Sequence, residues 1–108
     1  MKEYRIIWTK KPQKDLEEII EYIKISNIQN AKKVFFEIKE KCEKLYYFPL
    51  KYRIVPELQQ IGINKYRELI YKRWRIIYKI EKQTVYILIV ADTSRNLEDL
   101  LLQRLLRE

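Results

Sequence analysis

Residues 64–95 read NKYRELIYKRWRIIYKIEKQTVYILIVADTSR, and the fold is decided in this stretch. Trp74, Ile76, Tyr78 and Ile80 alternate with Arg75, Ile77 and Lys79, a period of two that suits a half-buried strand. The pattern predicts three consecutive antiparallel strands at 65–71, 74–81 and 84–91. Lys72-Arg73 and Glu81-Lys82-Gln83 fall at the turns, although Lys-Arg is poor turn chemistry. Val85 to Val90 is apolar at every position, which marks the central strand of a sheet covered on both faces.

Seven Lys or Arg (Lys65, Arg67, Lys72, Arg73, Arg75, Lys79, Lys82) stand between positions 64 and 83 against Glu68 and Glu81, so +5 of the chain's +8 lies in one sheet region. An arginine on a rigid strand suits phosphate or carboxylate recognition, because its fork is planar and always charged. The bland alternative is a solvated face with cross-strand pairs such as Glu68 with Arg75.

Beyond the strands, Asp92 to Asn96 breaks the pattern, and Ser94 or Asn96 can cap a last helix over Leu97–Leu106. Its six leucines cover more than one stripe, so Leu101, Leu102 and Leu105 are candidates for a partner contact as well as for core. At the other end, Tyr4–Trp8 reads as a first strand, followed by Thr9 as a helix cap with Pro12 in the first turn. Leu16, Ile19, Ile20 and Ile23 make one apolar stripe, and that helix ends near Ser26-Asn27. Asn30 then caps a second helix whose stripe is Val34, Phe35, Ile38, Cys42 and Leu45, giving a helical hairpin. Cys42 on that stripe is a buried thiol rather than a nucleophile. Residues 49–63 hold two of the three prolines and the only glycine, Gly62; they read as an irregular connection with a short strand or helical turn. The expected order is β-α-α-β-β-β-α: an α+β fold, a single domain over 1–108, with the hairpin and the last helix packed on a small antiparallel sheet.

Composition narrows the function classes. A net charge of +8 and a pI near 9.5 favour an acidic partner such as nucleic acid, a membrane surface or an acidic protein. No histidine is present, which removes the commonest general base, the Ser-His-Asp arrangement and most zinc sites. No metal-ligand cluster or phosphate-cradling glycine loop is visible, so no metal and no cofactor are expected. No apolar run approaches a membrane span, the opening MKEYRIIW lacks a signal-peptide core, and Cys42 stands alone, so no membrane partner is expected and a cytoplasmic location is.

Several short pieces now fall in a familiar order: Val55-Pro56-Glu57-Leu58, Tyr66-Arg67-Glu68-Leu69, Arg75-Ile76-Ile77-Tyr78, Val85 to Val90 followed by Asp92 and Arg95, and Asn96-Leu97-Glu98-Asp99-Leu100-Leu101 with Arg104-Leu105-Leu106. Over essentially its full length the chain resembles the RelE/ParE superfamily of toxins from bacterial type II toxin–antitoxin systems, and its end is similar to the ParE-like branch. RelE-like relatives cut mRNA on the ribosome; ParE-like relatives poison DNA gyrase. The resemblance implies, in both branches, neutralisation by a cognate antitoxin.

RNA cleavage needs a base for the 2′-hydroxyl, an acid for the leaving oxygen and cations for the developing charge. Arg67, Arg75 and Arg95 match arginine positions of the RelE pattern and would be the catalytic cations of a nuclease, converging on one phosphate from neighbouring strands. The proton-transfer pair is not evident: the terminal tyrosine of RelE-like relatives is missing, and Tyr66, Tyr71, Tyr78 and Tyr86 read as strand packers. The leading expectation is therefore a ParE-like gyrase inhibitor whose Arg67, Arg73, Arg75, Arg95, Leu101, Leu102 and Leu105 contact the target or the antitoxin. A ribosome-dependent mRNA endonuclease is the alternative, and a non-toxic relative that only binds its antitoxin is a second. On this reading Arg75→Ala and Arg95→Ala abolish toxicity and spare the fold.

Overall fold

The alternation in 64–95 folds as its period requires, in a computed structural model that describes residues 3–105. Three strands, β2 (Tyr66–Tyr71), β3 (Trp74–Glu81) and β4 (Thr84–Asp92), run antiparallel through the two-residue turns Lys72-Arg73 and Lys82-Gln83. Neither turn offers a glycine, so Lys72 (φ 52°) and Lys82 (φ 55°) take the left-handed backbone themselves. A side chain there costs about 1 kcal/mol.

One expectation is corrected. The first strand, β1 (Arg5–Trp8), pairs with β4 in parallel, so the sheet is mixed, with order β1-β4-β3-β2. Periodicity marks a strand but carries nothing about the direction of its neighbour. β4 is nonetheless central, as its apolar run requires.

The helical hairpin covers one sheet face. α1 (Lys10–Ser26) and α2 (Ile28–Glu43) meet at Asn27 alone. Asn27 closes α1 by donating its backbone N–H to Ile23, and opens α2 by accepting the Asn30 amide on Oδ1 at 2.9 Å. The α2 cap is therefore Asn27, with Asn30 its donor. Thr9 precedes α1 but makes no cap bond; its hydroxyl donates to the Ile87 carbonyl at 3.0 Å and ties the helix start to β4. Leu16, Val34, Ile38, Cys42 and Leu45 pack on Leu69, Trp74, Ile76, Tyr78, Val85 and Ile87. Phe35, read into the same stripe, is exposed, since 34, 38, 42 and 45 already complete it. Burial pushes the Cys42 thiol up to about 12, which leaves it an unreactive packing group.

The opposite face is covered by a single-turn helix, α3 (Pro56–Gln59), and by α4 (Leu97–Leu105). Asn96 caps α4, its Oδ1 accepting the Asp99 amide. Leu97, Leu100 and Leu101 meet Val55, Leu58, Ile77, Ile89 and Ala91 in a second core. The connection before β2 is ordered against the sheet: the Val55 amide donates to Tyr66 and the Glu68 amide to Arg53. Residues 53–55 thereby cover part of the outer edge of β2.

β4 is longer than its parallel neighbour. β1 reaches only from Thr84 to Ile87, and Leu88 is the extra residue of a bulge, since Tyr78 opposes Ile87 while Ile77 opposes Ile89. Past that point two side chains take over the edge. The Val90 amide donates to Asp15 Oδ2 (3.1 Å), and Arg104 Nη2 donates to the Leu88 carbonyl (3.0 Å). Arg104 also forks onto Asp15 at 3.1 and 3.0 Å, locking α4 to α1 across the strand.

Candidate functional site

The strand arginines occupy three separate places. Arg75 shares a face with Glu68 and lies beneath α3. Its Nη1 and Nη2 donate to the two Glu57 oxygens at 2.9 and 3.0 Å, and its Nε donates to Glu68 Oε1 at 2.8 Å. Nη2 also contacts Glu68, and Arg53 Nε donates to the other Glu68 oxygen. The Glu68 side chain is 0% exposed and that of Arg75 11%. The Arg75 hydrogen bonds hold the Glu57 carboxyl below the usual carboxylate range. A fork shared between two carboxylates has few donors left for a phosphate.

Arg67 points to the other face. It stands opposite Tyr78, and its Nη1 donates to the Tyr52 carbonyl at 2.6 Å and to that of Leu50 at 3.4 Å. Tyr78 is buried and its hydroxyl donates to the Pro49 carbonyl at 2.6 Å. Together the two fasten the 49–52 segment to the sheet. Burial raises the Tyr78 phenol well above its ordinary range, so it stays protonated. Tyr66 and Tyr71 are buried packers, as expected, and Tyr86 is half-buried.

The expected convergence of Arg67, Arg75 and Arg95 on one phosphate is therefore not what the fold builds. Alternation along β2 and β3 puts Arg67 and Arg75 on opposite faces of the sheet, a consequence of register that spacing alone did not reveal. Arg73 and Arg95 are the two that come together. Arg73, in the β2–β3 turn, donates Nε to Asp92 Oδ2 at 2.7 Å. Asp92 also accepts the Ser94 amide, the chief reason its carboxyl lies below its ordinary range. Arg95 is exposed and, among the described residues, has no ion-pair partner. Both line a cleft of about 580 Å³ between α1 and the far half of β4, with Ile19, Tyr22, Trp74 and Val90.

On α4, Leu101 is buried in the second core, and Leu102 is 52% exposed. Leu102 lines a smaller groove of about 180 Å³ with Ile61 and Ile63. Leu105 closes the helix, and its side chain lies outside the described residues, as does Leu106. Sequence reasoning missed Asp15 with Arg104 and the pairing of Glu57 and Arg53 with the sheet. An arginine set among leucines at 104 was the available signal for a buried ion pair. Among the described residues no group of three His, Cys, Asp or Glu is placed to hold a metal ion, and no helix is long and apolar enough to cross a membrane.

Comparison with solved structures shows the same fold in the chromosomal ParDE TA system from P. aeruginosa. The likeness has a TM-score of 0.69 at 18% identity, and covers 85% of this chain and 98% of that one. No protein of curated function matches the sequence. The model of the ParE toxin of the type II toxin–antitoxin system parDE matches residues 6–97, nearly all of the sheet and hairpin just described. By that match the chain belongs to the ParE toxin family of type II toxin–antitoxin systems.

Proposed function

We propose that the chain is a cytoplasmic toxin that inhibits DNA gyrase by binding it, and that a cognate antitoxin neutralises it. The observation that carries this reading is the state of the sheet arginines. Arg75 is consumed by Glu57 and Glu68, and Arg67 by backbone carbonyls on the opposite face. A phosphate held for in-line attack needs several cations on one side together with an acid and a base within hydrogen-bond reach. The arrangement supports a protein that grips a macromolecule over a surface better than one that cuts RNA. The surfaces left open for gripping are the cleft of Arg73 and Arg95 and the exposed side of α4 around Leu102. Family membership supports the partner assignment, since a ParE toxin is one half of a toxin–antitoxin pair.

Induced expression in cells tests the reading when plasmid topology and transcript integrity are followed together. Loss of negative supercoiling with full-length transcripts is the expected result. Rapid transcript cleavage with normal supercoiling overturns the gyrase assignment in favour of an mRNA endonuclease.

A further inference from the structure

The two edges of the sheet differ. Residues 53–55 cover part of the outer edge of β2, whereas among the described residues no strand lies beside β1. The Arg5 amide donates to the Gln83 carbonyl and the Thr9 amide to that of Ile87. Residues 5, 7 and 9 therefore bond toward β4, and the peptide groups of Tyr4, Ile6 and Trp8 turn outward. Two of those groups are already used: the Tyr4 amide donates to Tyr46, and the Trp8 carbonyl accepts the exposed Gln13 side chain. Among the described residues the Ile6 amide, the Ile6 carbonyl and the Trp8 amide have no partner. β1 carries no proline and no bulge, so its edge is a template for another strand.

The edge itself selects which strand. Its open groups sit on Ile6 and Trp8, one on each side of Ile7. A two-fold axis through Ile7 sets Ile6 of one copy opposite Trp8 of another, and every amide then meets a carbonyl; the Trp8 oxygen keeps a second lone pair for its share. The flanking side chains obey the same symmetry. Lys39 Nζ lies 4.5 Å over the Trp8 ring, whereas Ile6 lines a cleft of about 470 Å³ with Glu40, Glu43 and Tyr47. An axis that joins Ile6 to Trp8 thus carries Lys39 of each copy to the Glu40 and Glu43 side of the other. Phe36, 72% exposed and one turn before Glu40, supplies an apolar side chain for that cleft. Ile7 is half-buried and packs into neither core, which leaves it free to meet its own copy. We propose that β1 pairs antiparallel with β1 of a second copy of this chain, joining the two four-stranded sheets across a two-fold axis at Ile7.

Sedimentation equilibrium of the purified chain over a range of concentrations is the test. A reversible rise from 13.5 kDa to twice that mass is expected. Ile7→Lys and Ile7→Glu each set like charges opposite one another at the axis, and each is expected to weaken association by about tenfold or more with unchanged circular dichroism. Mixed in equal amounts the two are expected to associate again, because lysine then meets glutamate. Phe36→Asp, at an exposed position, is expected to weaken association without touching the strand. A parent chain that stays at 13.5 kDa throughout, the edge then being left to a strand of some other protein, overturns the proposal. So does association undiminished in the Ile7 variants, or a mixture of the two that stays monomeric. If the Ile7 variants lose the parent's circular dichroism, Phe36→Asp decides, and undiminished association in it overturns the proposal.

Discussion

Arg75 was the most attractive functional residue in the sequence, and the structure gives it a different task. Its guanidinium neutralises Glu68, the one buried charged residue among those described, and clasps Glu57 on α3. Removing one partner of a buried pair leaves the other charged and unsolvated. Arg75→Ala is therefore expected to destabilise the fold by about 3–5 kcal/mol, read as a fall in the urea midpoint at unchanged slope. This reverses the expectation that the variant folds normally and loses only toxicity. Arg75→Ala with the parent's midpoint would show that the cluster carries no stability. The sequence did hold the cue, since Glu68 and Arg75 were legible as a cross-strand pair. Glu57 and Arg53 were not, because a one-turn helix in a proline-bearing connection leaves no periodic trace.

At the scale of elements, what repeated at 2 or 3.6 residues was legible and what depended on a distant partner was not. The three strands, the hairpin and the last helix stand where the periodicity put them. The parallel docking of β1, the bulge at Leu88 and the Asp15–Arg104 clamp join residues more than 70 apart in the chain or add one residue to a strand. None of these has a local signature. The candidate site suffered most, because strand register and not spacing decides which side chains share a face. Two element-scale consequences follow. The β3–β4 turn holds Lys82 at positive φ, so Lys82→Gly is expected to raise stability by about 0.5–1 kcal/mol, seen as a melting temperature higher by several degrees. A lower melting temperature would mean that backbone freedom gained in the unfolded chain outweighs relief of the turn. Truncation after Asn96 removes Leu97, Leu100 and Leu101 from the second core. Loss of three buried leucines is on the order of 5 kcal/mol, comparable to a small domain's whole stability. The truncated chain is expected to aggregate; a soluble, cooperatively melting product would place the second core outside the folding unit.

For the whole molecule, the sheet serves as a two-sided scaffold. One face holds the hairpin through apolar packing, aliphatic from the helices and in part aromatic from the sheet. The other holds α3 and α4 through a smaller core and the Glu57–Arg75–Glu68–Arg53 cluster. The cleft of Arg73 and Arg95 and the groove at Leu102 lie at the periphery of this scaffold. On the proposed function this ParE-family chain grips a large partner while its sheet arginines keep the fold together. A supercoiling reaction with purified DNA gyrase, relaxed plasmid and ATP, to which the purified chain is added in increasing amounts, tests that action. A dose-dependent loss of supercoiling, relieved when the antitoxin is supplied, is the expected result. Undiminished supercoiling at a large molar excess of chain, with cleavage of ribosome-bound mRNA by the same preparation, would contradict it.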